Sequence, residues 1–314
     1  MSIAIQYSAD FSAAGFTGLS GYFDYFQSTY SSPGHASNMW FHNNPGSLNI
    51  GGTTYNDTYF GIKVIGEDLA NTSTSSNVSF LVKAAEVTLE NGAGTHYQSA
   101  DMIYTAANGH DLAGEIGELI FGNGAYSSGS LASNLFTVTN LTPHIGNGFK
   151  DVDSDGAYDG IEIPTNPGDN KVHDLILNLM GGATGGAGGT SVLEGYLAAY
   201  GTTQTGVAGN YDEVFSSYGG NDTFTGNGGN DTFRFESGFG DDVITDFINS
   251  SGSVSERDLI SFKTGIFGGL SAADILDPLN GYYSYSGGVS VISDGTNSIT
   301  LTGALTTADI NFFA

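Results

Sequence analysis

The stretch GGNDTFTGNGGNDTF, residues 219–233, advances by nine: Gly220-Asn221-Asp222-Thr223-Phe224 returns as Gly229-Asn230-Asp231-Thr232-Phe233. A short fixed period is the mark of stacked repeats, each contacting only its neighbours. Gly219, Gly220, Gly226, Gly228 and Gly229 permit the left-handed turns that close such repeats. Phe224 and Phe233, on the apolar position, point inward. A degenerate third copy runs from Gly238 to Phe247. So few copies predict a small β-roll over residues 206–250.

Downstream, residues 251–314 read as a C-terminal β region that closes on LTTADINFFA, few charges followed by aliphatic and aromatic residues. Upstream, residues 1–205 read as mixed α and β. Leu19, Tyr22, Phe23 and Phe26 keep helical spacing after Thr17, a plausible cap. Stretches 58–66, 77–90 and 101–106 are rich in β-branched and aromatic residues between Gly, Asn and Ser, and are expected to form one antiparallel sheet. Val172, Leu175, Ile176, Leu179 and Met180 form a helical stripe, as do Val192, Leu193, Tyr196, Leu197 and Tyr200. Two helices are expected to cover one face of that sheet.

Composition narrows the function. Seven Lys and Arg stand against 33 Asp and Glu, a net charge of -26, which repels nucleic acid and anionic membrane surfaces. Calcium is the obvious neutraliser, since much of the charge is Asp spaced along Gly-rich loops. The chain has no cysteine, so disulfides, thiolate catalysis and zinc–thiolate sites are excluded. It shows no HExxH and no G-x-S-x-G, so it reads as no enzyme. The opening MSIAIQYSADF lacks a basic region followed by a long apolar run, and no stretch approaches the roughly 20 apolar residues of a membrane span, so no membrane insertion is expected. Export without such a leader points to a C-terminal signal.

FKDVDSDGAYDGIEIP, residues 149–164, has the spacing of a calcium loop. Asp151, Asp153, Asp155, Gly156, Ala157, Asp159 and Glu162 fill positions 1, 3, 5, 6, 7, 9 and 12 of the EF-hand pattern. The carboxylates and the carbonyl of Ala157 supply an all-oxygen shell. The preceding LTPHIGNG, with Pro and Gly, reads as no helix, and the following IEIPTNPGD likewise, so a single structural loop is expected rather than a paired sensor. The alternative is a solvated acidic turn.

These stretches resemble known families. Residues 219–233 resemble the RTX nonapeptide, whose stacked turns trap calcium, which implies calcium at Asp222, Asp231 and Asp241. The segment from Gly240 and the final residues resemble the target region of type I secretion substrates. That implies a partner in the type I secretion apparatus, a secreted location, and folding outside the cell where calcium is abundant. IAIQYSADF, FDYFQSTY, DMIYTAANGHDLAGEIGELIFGNG, KVHDLILNLM and SVLEGYLAAYG resemble, in this order, the HasA-type haemophores over residues 1–205.

The haemophore resemblance implies ferric haem held between two loops. Tyr104 is the implied phenolate donor, with His110 beside it to hold the phenolic oxygen, and His35 the second axial ligand. A phenol of pKa near 10 ligates iron once a trivalent ion and a hydrogen-bond acceptor favour its anion, and a hard anionic oxygen favours ferric iron. That suits carrying haem rather than using it. Trp40, in the same loop as His35, is the candidate cover for a porphyrin face. His42 is an alternative to His35, and His96 with Tyr97, in an apparent insertion at 85–100, is a rival pair.

The expected fold is therefore α+β: an antiparallel curved sheet packed on one face by helices, haemophore-like, then a small calcium-binding β-roll and a C-terminal β region. Expected blocks are 1–205 with the calcium loop 151–162 inside it, 206–250 and 251–314. The expected function is haemophore-like capture of haem from haemoproteins and delivery to an outer-membrane haem receptor. The alternative is a calcium-dependent extracellular surface or matrix protein with this fold and no haem.

Overall fold

The computed structural model describes residues 2–32, 46–50, 53–62, 64–67, 78–85, 87–90, 96–99, 102–105, 111–124, 130–151, 154, 157–158, 160–161, 169–181, 186–250 and 255–314. Strands run in chain order β1 Ile3–Tyr7, β2 Ser31–Ser32, β3 Gly46–Ile50, β4 Thr53–Ile62, β5 Val64–Glu67, β6 Val78–Ala85, β7 Val87–Glu90, β8 His96–Ser99, β9 Met102–Thr105, β10 Asp111–Ala113, β11 Glu115–Asn123 and β12 Ser133–Thr139. Next come β13 Phe149–Lys150, β14 Gly160–Ile161, β15 Gly186–Ala187, β16 Thr202–Thr205, β17 Val214–Ser216, β18 Thr223–Thr225 and β19 Thr232–Phe235. The last are β20 Asp241–Ile244, β21 Leu259–Lys263, β22 Tyr283–Ser286, β23 Val289–Ser293, β24 Ser298–Thr302 and β25 Ile310–Phe313. The chain divides into two compact units, Met1–Tyr25 with Glu194–Ala314, and Phe26–Leu193. Residues 1–205 are therefore shared between the two.

In the unit Phe26–Leu193, β12, β11, β6 and β5 form an antiparallel sheet in that order. Its register sets Phe121 opposite both Phe136 and Phe80, and all three are buried. The Phe121 ring stacks on Phe136 at 4.9 Å and meets Phe26 edge-on at 5.6 Å. The helix Lys171–Leu179 begins at Asn170, whose side chain accepts the N–H of His173, and it buries Val172, Leu175, Ile176 and Leu179, as its stripe predicts. A second sheet has the order β10-β9-β4-β3, and β7 with β8 makes a separate hairpin. The single antiparallel sheet expected from 58–66, 77–90 and 101–106 is thus corrected to three. Run 58–66 changes sheet between Ile62 and Val64, and run 77–90 between Ala85 and Val87. Propensity marks a residue as extended without naming its partner strand. LTPHIGNG is also corrected: Thr142–Ile145 forms one helical turn with Pro143 at its start, where proline is tolerated.

The helix Gly18–Thr29 starts just after Thr17 and, in the part that belongs to the other unit, buries Leu19, Tyr22 and Phe23, as expected. From Thr202 onward, strands alternate between two parallel sheets. One holds β16, β18, β20 and β24, and the other β17, β19, β21 and β25. β1 joins the first, parallel to β16, and an antiparallel ribbon of β23 and β22 extends it past β24. The interior is aromatic: Phe215 stacks on Phe233 at 5.1 Å, Phe224 meets Phe233 at 5.8 Å, and Phe235 meets Phe262 at 5.7 Å. Each such pair adds about 0.5–1.5 kcal/mol beyond area burial.

The parallel pairing that begins at Thr202 forms a coil that runs through the residues 206–250 of the expected roll and on to Phe313. Its terminal residues are a strand of that coil, since β25 pairs with β21, Ile310 opposite Ile260. Equivalent residues lie 18 or 20 apart in the early coils, then 27 and 57 apart. Insertions at the later turns hide the period from a reading of fixed spacing.

Candidate functional site

Two ladders of buried carboxylates run along the coil. Asp222 accepts the N–H of Thr202 at 2.6 Å, its hydroxyl at 2.7 Å and the N–H of Tyr218 at 2.7 Å. Asp242 accepts the N–H of Asp222 at 2.7 Å and the Ser217 hydroxyl at 2.9 Å. In the second ladder Asp231 accepts the N–H of Glu213 at 2.9 Å. Asp258 accepts the N–H of Asp231 at 3.0 Å and that of Ile248 at 2.7 Å. Each carboxylate thus satisfies an amide that the neighbouring coil leaves open where a strand begins.

Burial sets the electrostatics. These four aspartates are at most 3% exposed, and desolvation opposes their charged forms. Burial pushes Asp222 up to about 6, its accepted hydrogen bonds pulling the other way. Asp242 is pushed up to about 8 by burial and then by the charge of Asp222. Asp231 reaches about 8 through burial, with the charges of Asp258 and Glu213 adding to it, and burial takes Asp258 to about 6. Glu213, buried and raised by burial, accepts from the Ser12 hydroxyl at 2.5 Å through Oε1. Its carboxyl also interacts with that of Asp231, a contact that lowers Glu213 and raises Asp231. Protonation relieves the repulsion in such a row.

Of the residues singled out in the sequence, Asp222 and Asp231 stand in the ladders. Asp241 does not: it is exposed and accepts the Ser298 hydroxyl at 2.7 Å, while its neighbour Asp242 lines up with Asp222. Sequence reading missed Glu213, Asp242 and Asp258. The 18- and 20-residue steps from known members were the available signal for the first two. At the far end Ile299 lies in register with Asp242, so the carboxylate ladder stops there, and Asn297 accepts the N–H of Gly240 at 3.0 Å.

The acidic loop is closed by a ribbon, not by two helices. Phe149 pairs with Ile161 and Lys150 with Gly160. Asp151 accepts the N–H of Ser154 at 2.6 Å, with Ser154 at φ 63, and Ala157 is fully buried. Tyr158 stacks on Phe149 at 5.2 Å, accepts from Asn147 Nδ2 at 2.6 Å, and forms a backbone bridge with Leu89 of β7. Asp153, Asp155, Asp159 and Glu162 lie outside the described residues. Among the described residues no group of three or more His, Asp or Glu is arranged to hold a metal ion.

Tyr104 has its backbone in β9, in register with Tyr59 of β4 on one side and Leu112 of β10 on the other. Its side chain, and all of His35, Trp40, His42 and His110, lie outside the described residues. His96 and Tyr97 open β8, opposite Glu90 and Leu89, so the apparent insertion is the hairpin β7–β8. No helix among the described residues is long and apolar enough to cross a membrane.

No family model matches the chain, and no curated protein does. Among solved structures it is similar to the holo hemophore HasA from Yersinia pestis, 15% identical, over 65% of this chain and 98% of that one, with a TM-score of 0.36. The apo form of that hemophore gives 14% identity over 66% of this chain and 99% of that one, with a TM-score of 0.37. The extracellular lipase LipA from Serratia marcescens gives 20% identity over 77% of this chain and 31% of that one, with a TM-score of 0.27.

Proposed function

We propose that the chain is a secreted haem-binding protein that captures ferric haem between two loops and passes it to an outer-membrane receptor for iron acquisition. Tyr104 bonds the iron as phenolate, His110 accepts or shares the phenolic proton, His35 is the second axial ligand and Trp40 covers a porphyrin face. The observation that carries the reading is the β9–β10 pair. Tyr104 stands next to last in β9, one residue from a five-residue connection, 106–110, that ends on His110 and leads straight into β10. This lies in DMIYTAANGHDLAGEIGELIFGNG, one of the five stretches that carry the haemophore resemblance. Haem supplies the ferric centre, and the chain supplies an anionic oxygen that favours the oxidised metal. The protein carries its ligand and catalyses nothing.

The same reading gives the coil and the loop 151–162 to calcium, and export to a type I apparatus. Asp231, raised by burial and by the charges of Asp258 and Glu213, is the group a cation in the coil would relieve. Haemin added to calcium-loaded protein is expected to give a ferric phenolate spectrum in the wild type that disappears in Tyr104→Phe. Wild-type protein that leaves the haemin spectrum untouched overturns the haem reading and favours the calcium-dependent matrix protein.

A further inference from the structure

We infer that Asn147 and Tyr158 are positioning residues for Tyr104; the inference presupposes that Tyr104 bonds haem iron. β10 has three residues and lies at the edge of its sheet, so its own ladder holds it weakly. Two buried asparagines hold it instead. Asn170 Nδ2 donates to the carbonyl of Leu112 at 2.9 Å, and Leu112 is the residue in register with Tyr104. The carbonyl of Asn147 accepts the N–H of Gly114, one residue past β10, at 2.8 Å.

The two struts differ in what lies behind them. Asn170 also caps the helix Lys171–Leu179, and a Cβ on Gly148, at φ 71, would come within 2.7 Å of its Oδ1. It is locked scaffold. Asn147 is held by its Oδ1, which accepts the N–H of Phe149 at 3.1 Å, and by its Nδ2, which donates to the Tyr158 hydroxyl at 2.6 Å. Tyr158 belongs to the acidic loop, stacks on Phe149 and bridges to Leu89 in the hairpin β7–β8, which precedes β9 in the chain. A displacement of the loop therefore reaches both the strand opposite Tyr104 and the hairpin before it, through hydrogen bonds and one ring stack.

Tyr158→Phe removes the hydroxyl and keeps the stack. Asn147→Ala keeps the backbone carbonyl but removes the two side-chain bonds that hold it in place, and Asn147→Asp restores them, because a carboxylate accepts both the N–H of Phe149 and the tyrosine hydroxyl. Full-length calcium-loaded protein is titrated with haemin, and three quantities are read: the phenolate band, the pH at which that band is lost, and the rate of haem transfer to an excess of apo-myoglobin. Tyr158→Phe and Asn147→Ala are expected to bind haemin with a shifted band, a displaced pH midpoint and roughly three- to tenfold faster release, the scale of one hydrogen bond. Asn147→Asp is expected to return near wild type. Circular dichroism identifies a variant that fails to fold, in which case the other two decide. If folded Tyr158→Phe and Asn147→Ala keep the wild-type band, midpoint and rate, this inference falls alone. If wild type binds no haemin, it falls together with the haem reading.

Discussion

Asp231 shows how a single side chain sets the requirements of the coil. It accepts the N–H of Glu213, gives its own N–H to Asp258, and is raised to about 8 by burial, Asp258 and Glu213. Asparagine in its place keeps an oxygen for the Glu213 amide and removes the charge. Asp231→Asn is therefore expected to melt ~2–5 °C above wild type in EDTA at pH 8 and, on the calcium reading proposed above, to lose most of the rise expected of wild type in calcium. Calorimetry with and without calcium reads both shifts, and a variant that melts lower in EDTA counts against the charge argument. That Asp222 and Asp231 matter is visible in their nine-residue repeat. That Asp242 rather than Asp241 faces inward is not, because adjacent residues of a strand point to opposite faces and only the register chooses between them.

At the scale of elements, the coil depends on its phenylalanine interior more than on any one strand. Phe233 is fully buried and meets Phe215, Phe224 and Phe247 within 6.2 Å. Phe233→Ala is expected to cost about 3–5 kcal/mol, seen as a lower denaturant midpoint for the unit containing the coil. Calcium-loaded wild type and Phe233→Ala with equal midpoints would show that the metal alone holds the coil together. Helical stripes at Leu19–Phe26 and Val172–Leu179 were legible because their period of 3.6 residues is local. Strand runs 58–66 and 77–90 were legible as extended chain, but their division among three sheets was not, since pairing joins residues far apart in sequence.

For the whole molecule, the net charge of -26 and the buried ladders make metal-free stability depend on acid. Asp222, Asp231, Asp242 and Asp258 have folded values of about 6, 8, 8 and 6 against an ordinary 3.8. Folding therefore takes up protons, and the stability these groups contribute is fully present below the ordinary value and lost as pH rises through 6 to 8. In EDTA, the midpoint for the unit containing the coil is expected to fall steadily from pH 4 to pH 8, while saturating calcium flattens that slope by favouring the ionised carboxylates. Urea titrations across that range, followed by circular dichroism, test it. A midpoint that rises with pH in EDTA would show that the ladder carboxylates are not held in the neutral form.

By itself the sequence determined the acidic, cysteine-free chemistry, the inward Phe repeat, the core helices and the spacing of the acidic loop, because each is written in residue type and short-range period. Tertiary structure decided that the coil continues to Phe313, that β1 joins it, that Asp242, Asp258 and Glu213 complete its ladders, and that Asn147 and Asn170 hold the strand opposite Tyr104. Those outcomes rest on hydrogen bonds between residues 18 to 201 positions apart, whose partners are chosen by register and burial and leave no mark in local spacing.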